Sequence, residues 1–210
     1  LLRGVYRLQD LLIEEGFRDA EVRLAVALGD EDDEAGGEAK STGARGAAVT
    51  YRIAAGPRTK LRAVAFAGAT PPFTHAELGD APRSQPDTPS RLRVAAHDVE
   101  RLQSWLFSHG YREAVVERLP EALDPAAYAA DLSFTVRLGP QVEFSVQGVT
   151  LRELEKNDLV PFLGDSGYDE ALVLQSMERI RRHFQEKGHY RVTVNRTEER
   201  SPDVLRLAFE

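Results

Sequence analysis

One pattern recurs three times along this chain and restricts what it can fold into. A helix-forming stretch ends at Glu15-Gly16-Phe17, again at His109-Gly110-Tyr111, and again at Gly188-His189-Tyr190. Leu12, Leu106 and Phe184 stand four residues before the three glycines. Leu8, Leu102 and Ile180 stand eight before, and Val5, Val99 and Met177 eleven before. These offsets fall on one helical face, so each helix has an apolar stripe ending at the same cap. The glycines Gly16, Gly110 and Gly188 suit a left-handed C-cap, where a side chain would be strained. A unit repeated in register along a chain means an array of small domains rather than one large core.

Each cap is followed by alternating residues. Val22, Leu24, Val26 and Leu28 are one series; Val49, Tyr51 and Ile53 are a second. Leu132, Phe134, Val136 and Leu138 form a third, and Tyr190, Val192 and Val194 a fourth. A period of two with one polar face predicts sheets buried on one side only. The first two units close on Gly56-Pro57 and Gly139-Pro140. After each comes a short apolar strand ending in Gly68 or Gly148. Thr74 and Thr150, each with a glutamate three residues on, predict capping boxes for a second, shorter helix. The expected fold class is therefore α+β, in tandem β-α-α-β-β units. Each unit has a three-stranded mixed sheet covered on one face by two helices.

The predicted boundaries follow the Gly-Pro pairs. Residues 1–57 hold a partial unit: its second helix, its last two strands and an acidic loop over 29–46. Residues 58–140 hold a complete unit, and residues 141–210 a complete or nearly complete one. Gly16 and Gly110 are 94 residues apart, Gly110 and Gly188 only 78. Most of that difference lies in the Gly29–Gly46 insertion, which contains Asp30–Glu34. A chain opening on Leu1-Leu2-Arg3 reads as a piece of something longer.

Composition removes several functions. The formal net charge is −7. That argues against nucleic acid as a partner, since phosphate binding needs clustered Lys and Arg. With no cysteine there are neither disulfides nor thiolate metal sites. The five histidines show no pair at metal-ligand spacing, and Asp30–Glu34 fails the calcium-loop pattern because Ala35 sits at the glycine position. No nucleophile elbow or phosphate loop is present. The sequence thus predicts no catalytic residue, no metal and no cofactor.

The ordered units resemble the polypeptide-transport-associated (POTRA) domain. The residues that carry the likeness are the helix ending in Gly-Phe or Gly-Tyr, the closing Gly-Pro and the strand ending in glycine. Such domains form the periplasmic arm of outer-membrane barrel-assembly proteins such as BamA and TamA. The resemblance implies a non-enzymatic role on the periplasmic side of the bacterial outer membrane. The implied partners are unfolded outer-membrane clients and accessory assembly proteins, with a C-terminal membrane β-barrel outside this chain. A two-partner secretion transporter is the alternative; a small α+β enzyme or ligand-binding protein is a weaker one.

In the family the second strand of each unit lies at an open edge, where an extended peptide can add to the sheet. Here that strand is expected over 21–28, 114–119 and 190–197. The candidate partner-binding residues are Val22, Leu24 and Val26; Val115, Val116, Glu117 and Arg118; and Arg191, Val192, Thr193, Val194 and Asn195. Gly16, Gly110, Gly188, Gly56, Pro57, Gly139, Pro140, Gly68 and Gly148 are read as structural.

Overall fold

The structure, a computed structural model, describes residues 2–28, 47–68, 72–164 and 167–210. The acidic stretch Asp30–Glu34 lies outside the described residues. The chain runs α1 (Leu2–Glu14), β1 (Glu21–Leu28) and β2 (Ala47–Ala54). Next come β3 (Lys60–Ala67), α2 (His75–Gly79), α3 (Leu92–Ser108), β4 (Val115–Arg118), β5 (Ala122–Asp124) and β6 (Ala129–Arg137). Last are β7 (Gln141–Val146), α4 (Leu151–Lys156), α5 (Glu170–Glu186), β8 (Arg196–Arg200) and β9 (Val204–Phe209). The β-α-α-β-β order is present twice in full, with β5 as an added short strand on the first of these two.

The sheets are mixed, as expected. β3 runs parallel to β6, and β4 antiparallel to it, giving the order β3-β6-β4. β7 is parallel to β9, and β8 antiparallel, giving β7-β9-β8. β1 and β2 form a two-stranded antiparallel ribbon. Alternation sets the cores. Along β6, Ala130, Leu132, Phe134 and Val136 are all fully buried and pack under α3 residues Leu102 and Leu106. Along β9, Leu207 and Phe209 meet Ile180 and Val173 of α5. The ribbon is less covered: α1 buries none of its residues, and Ile53 on β2 is 52% exposed. Among the described residues, its apolar face is covered by neither a third strand nor a second helix of the kind that close the other two sheets.

The helix starts follow the predicted chemistry with one difference. At α2 the Thr74 side chain accepts from the Glu77 amide, and the Glu77 carboxylate accepts from the Thr74 amide, completing the box. At α4 the Thr150 side chain accepts from the Glu153 amide, but the Glu153 carboxylate turns to Lys187 at 2.7 Å. An ammonium in reach is the stronger partner for a carboxylate than a neutral amide, so half of the expected box forms.

The third unit also corrects the expected strand bounds. Arg191, Val192, Thr193 and Val194 lie in a turn and an irregular extended stretch, not in a strand. The strand begins at Arg196, and Asn195 joins its ladder through two bonds with Glu210, at 2.8 and 3.0 Å. Register explains the shift. β9 places Phe209 opposite Arg196 and Glu210 opposite Asn195, and among the described residues none pairs with 191–194.

The sheets join through main-chain contacts. The Thr59 amide donates to the Gly16 carbonyl, and the Val142 amide to the Gly110 carbonyl, both at 2.8 Å. Side chains add to both joints. Arg18 reaches Glu121 at 2.6 Å, and Ser90 donates to the same carboxylate at 2.9 Å. Arg200 reaches Glu113 at 2.6 Å.

Candidate partner-binding edges

Among the described residues β1, β4 and β8 each have one neighbour in their sheet, so one side of each strand is an edge there. In the second sheet the two edges are not equivalent. The start of β3 is covered from outside by the loop before α3. Leu61 donates to the Thr88 carbonyl and accepts from the Asp87 amide, both at 2.8 Å, and Lys60 bridges to Pro89. That loop is held by Asp98 of α3, which is fully buried. Its two oxygens accept from the Arg83 and Ser84 amides at 2.8 and 2.9 Å. The β4 side carries no such cover among the described residues.

The antiparallel ladder tells which backbone groups of β4 face outward. Leu119 donates to Ser133 at 2.9 Å, which makes 119 and 133 a hydrogen-bonded pair. Alternation then makes Glu117 with Thr135, and Val115 with Arg137, inward-bonded pairs. Val116 and Arg118 point their amides and carbonyls away from β6. The side chains divide differently. Val116 is buried, Val115 is 39% exposed, and Glu117 meets Arg137 across the strands at 3.2 Å. In β1, Val22 is buried, Leu24 half-buried and Val26 exposed.

For β8 the bonded pair of Asn195 with Glu210 makes Arg196, Glu198 and Arg200 the outward-facing backbone positions. These are residues the sequence reading did not single out. Ser201, Pro202 and Asp203, followed by alternating Val204–Phe209, carried the signal: a turn followed by a strand that must pair backward onto 196–200. The Arg196 guanidinium is clamped by Glu170 and Glu198 and lies 3.3 Å from the Tyr168 hydroxyl. Tyr168 donates to Glu198 at 3.2 Å. Hydrogen bonding to Arg196 holds the Glu170 carboxyl below its usual range, and Arg196 is raised in return. Burial, then the Glu198 charge, push the Tyr168 phenol up to about 12. The cluster fastens the edge strand to the first turn of α5, where Glu170 also complements the helix dipole.

Among the described residues no cluster of three or more His, Asp or Glu could hold a metal ion. Among the described residues, too, no helix is long and apolar enough to cross a membrane.

The geometry defines a tandem array of α+β units that present strand edges. No protein-family model matches the chain, and no curated protein matches it. Among solved structures it is similar to the crystal structure of Haemophilus influenzae BamA POTRA3-5. The identity is 17%, over 99% of this chain and 78% of that chain, with a TM-score of 0.40. It is similar to the N-terminal domain of Omp85 from Thermosynechococcus elongatus at 19% identity, over 73% of this chain and 63% of that one, TM-score 0.39. It is also similar to CdiB from Escherichia coli at 14% identity, over 98% of this chain and 34% of that one, TM-score 0.35.

Proposed function

We propose that this chain is a run of POTRA units, divided near residues 57 and 140, in the periplasmic arm of an outer-membrane barrel-assembly or translocation protein. Its role is non-enzymatic. It engages unfolded client polypeptides and accessory proteins by strand addition at β1, β4 and β8. The observation that carries this reading is topological: among the described residues, the second strand of each β-α-α-β-β order has a single neighbour. The in-register repeat of capped helix, Gly-Pro and glycine-ended strand supports it.

The energy scale fits transient handling of clients. At β4, Val116 and Arg118 present four backbone groups, each worth about 0.5–1.5 kcal/mol when bonded. Ordering an extended peptide costs about 2–5 kcal/mol. The difference is at most about 4 kcal/mol, which puts a contact at one edge in roughly the millimolar range. Several edges in one chain raise the effective concentration of the next.

The test is an NMR titration of the chain with a peptide copied from a strand of an outer-membrane protein. Shifts are expected at the Val116, Arg118, Arg196 and Glu198 amides, saturating near millimolar peptide. An unchanged spectrum at that concentration overturns strand addition.

A further inference from the structure

The two joints connect equivalent elements through different chemistry. At the first, the end of α1 meets the start of α3. At the second, the end of α3 meets the residues leading into α5. The cap glycines Gly16, Gly110 and Gly188 match one another, as do Pro57 and Pro140. Ser108 and His109 are therefore the counterparts of Glu14 and Glu15. Asp169 and Ala171 are those of Arg91 and Arg93, and Gln141 is that of Arg58.

α5 is capped from within. The Asp169 side chain accepts from the Ala171 amide at 2.7 Å, and Glu170 adds a negative charge in the first turn. Both suit the positive end of the helix dipole. α3 has neither device. Its N-cap is Arg91, which makes no side-chain cap bond, and its first turn holds no acid but a second cation, Arg93. The end of α1 is mismatched in the opposite sense. Its last turn has no basic residue and closes on Glu14, with Glu15 next. Each of these two helix ends carries charge that opposes its own dipole.

The missing charges come from across the joint. Arg91 Nε lies 3.0 Å from a Glu15 carboxylate oxygen. Arg93 Nε lies 2.6 Å from a Glu14 oxygen, an ion pair without the geometry of a hydrogen bond. Arg58 donates to the Glu15 carboxylate at 2.9 Å and to the Glu15 carbonyl, at the end of α1, at 2.8 Å. The acids of α1 thus serve the start of α3, and Arg58 serves the end of α1. Among the described residues, none of the five counterparts at the second joint forms an ion pair across it. There Arg112 donates to the Phe162 and Gly164 carbonyls and accepts from the Tyr168 amide, and Arg200 pairs with Glu113.

We propose that the first joint is a charge-operated hinge. Its angle is held by Glu14 and Glu15 against Arg58, Arg91 and Arg93, and it loosens as ionic strength rises, whereas the second joint keeps its angle. The inference stands whether or not the outer edges bind clients. The screening length falls from about 10 Å at 0.1 M salt to about 3 Å at 1 M, and these partly exposed pairs lie within reach of salt. The buried Glu121 with Arg18, and the Thr59 bond to Gly16, are screened much less and form the pivot.

The chain has no cysteine, so spin labels attach only where cysteine is introduced. Arg7→Cys with Ala96→Cys spans the first joint, and Ala96→Cys with Gln175→Cys the second; all three positions are exposed. Distances are read by pulsed electron–electron double resonance. Raising salt from about 0.05 M to about 1 M is expected to widen the distance distribution across the first joint about twofold and to leave the second unchanged. Glu14→Gln with Glu15→Gln should give the wide distribution already at low salt. Glu14→Arg should do the same, and adding Arg93→Glu, which reverses the pair, should restore the narrow one. The Ala95 amide closes the first turn of α3 on the Arg91 carbonyl. In the double glutamine variant its hydrogen exchange should quicken about two- to fivefold. Its counterpart Val173, bonded to the Asp169 carbonyl, should not change. A first-joint width that ignores salt, or equal widening at both joints, overturns the proposal. So does a failure of Arg93→Glu to rescue Glu14→Arg.

Discussion

The main-chain amide of Val142 donates to the carbonyl of Gly110 at 2.8 Å. Thr59 and Gly16 repeat the same relationship at the same distance. Each donor lies two residues after the proline of a Gly-Pro pair, and each acceptor is a helix-capping glycine. The end of one unit's helix is thereby bonded to the start of the next unit, within β7 at Val142 and one residue before β3 at Thr59. Parallel pairing makes the bond possible: along β7, Gln141 donates to Asp203 and Gln147 to Phe209, on the β9 side. The even position Val142 faces the other way and is free to reach Gly110.

The joint between the second and third units therefore depends on a backbone donor, which Val142→Pro removes. The ladder to β9 keeps its donors, because proline is tolerated on an edge where its nitrogen faces away from the neighbour. The expected cost is about 1 kcal/mol. Small-angle scattering should show a wider spread of inter-unit arrangements, with circular dichroism unchanged. Arg200→Ala removes only a half-exposed ion pair, worth under about 1 kcal/mol, and should leave the scattering curve unaltered. Equal scattering curves for both variants would refute the backbone joint.

At the joint before it, a side-chain cluster carries more weight. The Glu121 side chain is only 5% exposed and holds both Arg18 and Ser90. Arg18→Ala leaves that carboxylate buried without its cation, and should cost about 2–3 kcal/mol by chemical denaturation. Replacing Glu121 by Leu in the same chain should recover most of the loss, since the uncompensated charge disappears with it. A double variant no more stable than Arg18→Ala would sink this account.

Local patterns made much of the fold readable. The offsets of Leu102 and Leu106 from Gly110 announced a helix stripe, and both residues are fully buried. Alternation around Phe134 announced a strand with one covered face. The third unit's edge was misplaced because Tyr190, Val192 and Val194 alternate as well as any strand. Whether an alternating stretch becomes a strand depends on what stands opposite, and that was set by Phe209 and Glu210. The Arg196 cluster and the Arg18–Glu121 pair were illegible for a related reason. Glu170 stands 26 residues from Arg196 and Glu121 103 from Arg18, and a charged residue on a polar face looks alike whether solvated or paired. The open side of β4 could be placed only by the family resemblance, since edge position is a property of sheet order.

Asp98 was another position hidden in a helical pattern. As a fully buried carboxylate it accepts from the amides of Arg83 and Ser84 and from Arg101 at 2.9 Å. Asp98→Ala strands the buried Ser84 amide and the part-buried Arg83 amide, each worth about 1–3 kcal/mol when left unmade in a buried site. The variant should lose about 2–5 kcal/mol of stability. Faster hydrogen exchange should be confined to 82–90 and the start of β3, the edge this loop covers. Asp98→Asn, which keeps one acceptor, should lose clearly less. Uniformly accelerated exchange across the second unit would contradict a local role.

Tyr168 gives a pH dependence whose direction is set by its surroundings. Its phenol is raised from 10.0 to about 12, chiefly by burial and then by the Glu198 charge. The folded chain holds this proton more tightly than the unfolded chain does. The associated stability is therefore complete below about pH 10 and is lost as the pH rises from about 10 toward about 12. In Tyr168→Phe this alkaline loss should be absent, while stability near neutral pH falls only by the bonds to Glu198 and Arg196. Phenolate absorbance followed alongside circular dichroism separates the two chains: the parent should show a component of its six tyrosines ionising near 12 that the variant lacks. If the two titration curves differ instead by a component near 10, the Tyr168 hydroxyl is not held in the Arg196–Glu198 cluster.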